Sequence, residues 1–290
     1  MQFKDGIFDN ISINDYHNDT EYLSSSSIKE ANKSLKHFEW YFKRDKDRKS
    51  FFDFGNAFEI ALMDLFNGTK EFDSSVNIFD ELQRPETDKT FASSKNKEWK
   101  QTFFESSGYI INKSGKESFE TIKNMLESCM QDSTIQRLMK DTNYQKSIFW
   151  TDPQTKLKLK TRPDVCKINK NVIVDIKTCV DGSPEKFSKD CANYNYPLQA
   201  VLQMEGCIRS GLYDKIDNYY WIVVEKEPPF NAQIYCFPHS EWGFFQNKLD
   251  YLLCKILLAR QQNKYVGYTD RAEDNKDGIL EIEIPMWYKA

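Results

Sequence analysis

The chain has 290 residues, with 40 Lys and Arg against 44 Asp and Glu and a formal net charge of −4. Apolar residues make up 40% and aromatic residues 14%, enough to bury a core, which excludes a mainly disordered chain. No run reaches the roughly 18 apolar residues of a membrane helix, and the opening MQFKDGIFDN has neither the basic nor the apolar part of an export signal. A cytoplasmic protein with no membrane partner is expected.

Residues 1–23 are polar and read as an irregular lead-in. Ser24 to Ser27 precede an amphipathic stretch, and Ser27 with Glu30 has capping-box spacing, so a helix is expected over about 27–43. Phe58, Ala61, Leu62 and Leu65 form one stripe of a second helix, Phe54 to Phe66. Residues 67–113 mix turn signals with a short helix near 94–105. Residues 115–140 repeat as a helix through Phe119, Ile122, Met125, Leu126 and Met130.

The pattern then changes. Ser147 to Trp150 is a β-type run ending at Asp152-Pro153, residues 156–166 alternate, and Ile168 to Asn171 reads as a hairpin loop before the strand Val172 to Thr178. Pro197 opens a helix to Arg209. Strands Tyr219–Glu225 and Ala232–Phe237, a long helix over about 240–262 and an acidic tail with a short strand at Ile279–Ile284 complete the order. This succession predicts an α/β or α+β fold around a mixed sheet.

The chemistry lies in KLKLKTRPDVCKINKNVIVDIK, residues 156–177. Alternate residues of a strand share a face. Lys158, Lys160, Arg162 and Asp164 therefore project one way, and Ile173, Asp175 and Lys177 share a face of the next strand. A hairpin sets Asp164 beside Asp175, with Lys177 one step along. Adjacent carboxylates repel unless a cation lies between them. A hard divalent ion on oxygen ligands resolves the conflict and can stabilise charge on a phosphate. The bland alternative for Lys177 is an ordinary ion pair across the hairpin.

Pro163-Asp164 followed by Asp175-Ile176-Lys177 resembles the PD-(D/E)XK nuclease superfamily. With YHNDTEYLSSSSIKEANKSLKHF, GNAFEIALM, DKTFASSKNKEWKQ, IVDIKT and YPLQAVLQMEG in order over about residues 10–260, the chain is similar to the phage and prophage exonucleases of the RecE type. The resemblance implies a restriction-endonuclease-like core in one nuclease domain over 1–290. Its parts would be a mainly helical 1–145 carrying Glu59, a core over 146–265, and an acidic tail over 266–290. It implies a Mg²⁺-dependent exonuclease, with Mn²⁺ able to substitute, that digests one strand of linear duplex DNA from the 5′ end. It also implies DNA ends and a RecT-like annealing protein as partners, and a homo-oligomeric ring in a phage- or prophage-bearing bacterial host. By the same resemblance Asp164 and Asp175 are metal-binding acids, Ile176 offers its carbonyl, and Lys177 is the catalytic lysine. Tyr196 and Gln199 form the Y-x-x-Q element, in which Gln199 meets the substrate phosphate or attacking water. Glu59 stands where the family's G-x-x-x-H has its metal-ligating histidine, and is expected to ligate the metal in its place. Gln203 stands where RecB-type nucleases carry Tyr and, like Tyr196, is grouped with the DNA-contacting residues.

Other readings stay open at this level. Lys158, Lys160 and Arg162 form either a phosphate track or a solvated strand face. Ser24 to Ser27 either cap a helix or bind a phosphate. Trp40, Tyr41 and Phe42 read as core packing, and His17, His37 and His239 as structural. Seven cysteines without a C-x-x-C pair predict small buried hydrophobes rather than disulfides, zinc or an iron–sulfur cluster. That spacing speaks against a CRISPR-adaptation or RecB-type nuclease; a non-catalytic DNA-binding protein keeping the fold is the other alternative. Residues 156–177 hold seven bases against two acids, and 33–49 seven against three. A basic surface confined to a track is therefore expected beneath the near-neutral total.

Overall fold

The computed structural model describes residues 3–9, 11–44, 50–105, 108–268, 279–284 and 286. The lead-in is more ordered than expected: strand β1 (Gly6–Phe8) and helix α1 (Ile13–Asn18) precede α2 (Ser25–Lys33) and α3 (Leu35–Lys43). The helix expected over 27–43 is thus two. Ser34 has extended backbone, and its Oγ accepts from the His37 N–H to start α3. At the start of α2, Ser27 Oγ accepts from the Ser24 N–H, which is the capping reading of the serine run. Trp40 is 60% exposed, so it does not join the core, while Phe42 packs on its margin.

Next come α4 (Ser50–Asn67), α5 (Glu71–Ser75), β2 (Val76–Phe79), α6 (Ser94–Glu105), β3 (Tyr109–Asn112), α7 (Phe119–Gln131) and α8 (Ser133–Met139). The break between α7 and α8 falls at Asp132, whose carboxylate accepts from the N–H groups of Thr134 and Ile135. The second half holds β4 (Asn143–Tyr144), β5 (Ser147–Thr151), β6 (Lys158–Thr161), β7 (Val165–Lys167), β8 (Val172–Cys179), α9 (Pro184–Asn193), α10 (Tyr196–Arg209), β9 (Asn218–Glu225), β10 (Ala232–Cys236) and α11 (His239–Gln262). Helix α9 had no counterpart in the sequence pattern. Residues 279–284 form no strand, and residues 269–278, the acidic run, lie outside the described residues, as do 45–49 of the basic run.

The alternating stretch 156–166 is two strands in two sheets. Strand β6 pairs antiparallel with β5 in the sheet β1-β5-β6, whereas β7 belongs to the mixed sheet β10-β9-β8-β7-β4, in which β8 and β9 are parallel. Pro163 marks the switch: it has no N–H for a ladder and holds Arg162 extended. Strands β2 and β3 form a separate parallel pair. The five-stranded sheet is apolar on both faces, as its helix-covered position requires. Ile173, Tyr219, Trp221 and Val223 face a core with α2, α3, α10 and α11. Val172, Val174, Ile176, Ile222 and Val224 face a second core with α4, α7 and α8.

Helix α10 crosses to the smaller sheet at Gly206. A Cβ there would lie 2.7 Å from Trp150 Cζ3 and 2.8 Å from Thr161 Cγ2, so only glycine permits this approach. All seven cysteines are free. Cys129, Cys166 and Cys207 are buried, but Cys236 and Cys254 are exposed, against the expectation of uniformly buried thiols. Among the described residues no helix is long and apolar enough to cross a membrane.

Candidate active site

Asp175 is fully buried on the α10 side of β8, opposite Trp221 of β9. The two-residue period that places Ile173 in that core puts Asp175 and Lys177 on the same face. Lys177 forms an ion pair with Asp175 Oδ2, and its ammonium also reaches the Ile176 carbonyl at 3.5 Å. Gln199, in the first turn of α10, donates from Nε2 to Asp175 Oδ1 at 2.9 Å. Both carboxylate oxygens are engaged, yet Oδ2 receives no well-directed hydrogen bond and is buried.

Asp164 lies between β6 and β7, just after the sheet switch. The main-chain N–H of Ile176 donates to its Oδ2 at 2.7 Å. On that side β7 has ended, and the side chain takes a donor that a longer strand would have used. Glu59, on α4, accepts from Gln145 Nε2 at 2.9 Å. Gln145, with φ +46°, also donates its main-chain N–H to the Asp164 carbonyl at 3.1 Å. One residue thus ties the backbone beside one acid to the side chain of another.

Burial raises the Asp164 pKa well above its ordinary value, and the charges of Glu59 and Asp175 push it the same way. Burial also raises Glu59, against the Gln145 hydrogen bond. Burial alone would lower Lys177, but Asp175 and Asp164 outweigh it and hold the ammonium above its usual pKa. These are the marks of a carboxylate group short of positive charge, with one fixed ammonium. Among the described residues no three acidic, histidine or cysteine side chains stand already grouped around a metal position. The oxygen-only donor set nevertheless suits a hard divalent ion. Glu59, Asp164, Asp175 and the Ile176 carbonyl are the groups that would hold it.

The Tyr196 ring lies 5.0 Å from the Lys177 ammonium and 5.4 Å from that of Lys29, and stacks on Tyr194 at 5.6 Å. Burial raises its hydroxyl to about 12. Lys29, on α2, donates to Gln199 Oε1 at 2.8 Å. Neither Lys29 nor Gln145 stood out in the sequence. Lys29 shares a helix with the serine run that did, and Gln145 carries no local signal.

Gathered here, then, are Glu59, Asp164, Asp175, Ile176, Lys177, Tyr196 and Gln199. Gln203 is not with them: it is 2% exposed and accepts from the Tyr219 hydroxyl at 2.7 Å, so it offers nothing to DNA. The expected cation track is corrected too. Lys160 is 2% exposed, its ammonium held by the carbonyls of Tyr16 at 2.5 Å and Asp19 at 2.6 Å. Lys158 pairs with Glu21. Arg162 donates to Ser147 Oγ at 2.9 Å and the Ile11 carbonyl at 3.0 Å, over the Tyr16 ring. Lys167 binds the last carbonyls of α8 through Arg137 and Lys140. The smaller sheet turns Lys158, Lys160 and Arg162 toward the N-terminal segment instead of along a groove.

The family of PDDEXK-like domains of unknown function, DUF3799, matches residues 24–275. The chain belongs to this family. It therefore falls in the PD-(D/E)XK nuclease superfamily, and the mixed sheet flanked by helices is the restriction-endonuclease-like core. A crystal structure of a Eubacterium rectale protein named "Putative exonuclease" has a TM-score of 0.57 to this DUF3799 member, at 14% identity. The match covers 97% of this chain and 98% of that one. At that identity the likeness shows a shared fold. No curated protein matches the chain.

Proposed function

We propose that this DUF3799 protein is a metal-dependent exodeoxyribonuclease that hydrolyses one strand of linear duplex DNA from the 5′ end and leaves a 3′ single strand. The observation that carries the reading is the coupling of Asp164, just before β7, to Asp175 and Lys177 of the neighbouring strand β8, through the Ile176 N–H and the Asp175 ion pair. A bound divalent ion, Mg²⁺ or Mn²⁺, supplies Lewis acidity at a phosphate oxygen and activates water. Lys177, held cationic beside the site, offsets charge as it grows on the phosphate. Gln199 presents an amide N–H to Asp175 and fixes that carboxylate's rotamer. Tyr196 screens the lysines from solvent with its ring. The proposed partners are duplex ends, a RecT-like annealing protein that takes up the 3′ strand, and further copies of this chain in a ring.

The test is digestion of end-labelled linear duplex with Mg²⁺, beside a covalently closed circle and the Asp175→Ala variant. Release of nucleotides from 5′ ends, a spared circle and an inactive variant are expected. A cut circle points to an endonuclease, and undiminished digestion by Asp175→Ala overturns the site. A second reading, a non-catalytic DNA-binding protein keeping the fold, draws on the engaged state of Asp175 and the lack of a ready-grouped metal position among the described residues. Calorimetric titration with Mn²⁺ separates the two, since that reading predicts no binding.

A further inference from the structure

We infer that Lys29 is a positioning residue acting through Gln199: it locks the side-chain amide in the sense that presents Nε2 to Asp175. This deepens, and rests on, the nuclease reading of the site. Helix α2 is fastened for the purpose at three places. Leu23, just before it, exchanges main-chain hydrogen bonds of 2.8 Å with Lys158 and Lys160 of β6. Asn32, one turn after Lys29, donates to Asn195 Oδ1 at 2.7 Å. Asn195 has φ +53° and immediately precedes α10. Lys29 itself closes the third link at the Gln199 oxygen.

The polarity of the chain admits one arrangement. Asp175, paired with the Lys177 ammonium, only accepts, so the amide turns its nitrogen toward Asp175 and its oxygen toward Lys29, whose Nζ carries N–H donors in either protonation state. The flipped amide would set its C=O against the Asp175 carboxylate. When protonated, Lys29 also polarises the amide and strengthens the donor that Asp175 receives. The placement is costly to the fold. Burial and the neighbouring Lys177 charge both lower the Lys29 pKa, to about 7, against the pull of Asp175. A lysine kept there at such a cost is matched to the site.

The experiment compares Lys29→Met, Lys29→Arg, Gln199→Ala and the double variant Lys29→Met/Gln199→Ala on linear duplex with Mg²⁺. Lys29→Met is expected to lower kcat roughly tenfold or more with KM nearly unchanged, and Lys29→Arg to restore most of it. In the Gln199→Ala background Lys29→Met should add nothing, since its effect runs through that amide. Equal losses in both backgrounds, or a raised KM at constant kcat, would show Lys29 touching substrate and overturn the proposal.

A readout without activity uses ¹⁵N-labelled metal-free protein. The Gln199 amide signals, assigned by their loss in Gln199→Ala, should shift and broaden in Lys29→Met and return in Lys29→Arg. Unmoved signals overturn the link. If Lys29→Met does not fold, Lys29→Gln, with a shorter arm, replaces it in both measurements. If the wild type hydrolyses no DNA while the signals still respond, the nuclease reading falls and the Lys29–Gln199 link stands.

Discussion

The Ile176 main-chain N–H donates to Asp164 Oδ2 at 2.7 Å, so the first acid of the site is fixed by the backbone of the strand that carries the second. The bond holds the Asp164 carboxylate in place although burial, Glu59 and Asp175 all disfavour its charge. The acids are therefore positioned against their own repulsion, which costs stability unless a cation compensates.

Asp164→Asn keeps an acceptor for the Ile176 N–H and removes the buried charge. The metal-free variant is expected to melt no lower than the wild type, while hydrolysis of duplex DNA falls by roughly 10²–10³-fold. Thermal melting without metal and a digestion assay check the pair. A lower melting temperature with activity retained would contradict the assignment.

Lys29 predicts a pH dependence of stability. Folding lowers its pKa from the ordinary lysine value of 10.5 to about 7. Between those values the unfolded chain holds a proton that the folded chain lacks. The Lys29 contribution to stability is therefore least favourable below pH 7 and improves as pH rises toward 10.5. Lys29→Met removes this slope. The melting temperature of wild type minus variant should become more positive from about pH 6.5 to about pH 9.5; a flat difference would sink the prediction.

Lys160→Met tests the correction of the cation track. The ammonium is surrounded by the Tyr16 and Asp19 carbonyls and lies 3.5 Å from the Asp19 carboxylate. Its loss leaves buried acceptors unpaired and is expected to cost about 2–4 kcal/mol. Chemical denaturation measures it. The salt dependence of DNA binding should not change, because no phosphate contact is lost.

Gly206→Ala places a methyl group against the Trp150 ring and Thr161. Overpacking of this kind costs about 1–3 kcal/mol. Since α10 carries Gln199 at its other end, the variant should also lose activity, and denaturation together with digestion of linear duplex checks both. A neutral effect on stability would mean the helix shifts without cost.

Periodicity of two in VIVDIK was enough to put Asp175 and Lys177 on one face and Val172, Val174 and Ile176 on the other, and the structure keeps that division. The helix over 94–105 was legible from its own pattern, and α4, α10 and α11 to within a few residues, because each carries its apolar stripe locally. The alternation of 156–166 misled because strand period is local, whereas the change of sheet at Pro163 depends on what each half pairs with. Lys160 and Gln203 looked solvent-facing by residue type, and their burial follows from partners over 100 and 16 positions away in sequence. Lys29 reaches Gln199 across 170 positions, and Gln145 reaches Glu59 across 86.

The sequence by itself determined that Asp175 and Lys177 share one face of β8, apart from Val172, Val174 and Ile176, since that division follows from a two-residue repeat. Only the tertiary structure decided which cations face the site and which are spent holding the N-terminal segment. That choice depends on hydrogen-bond donors and acceptors brought together by folding, and no local pattern encodes their meeting.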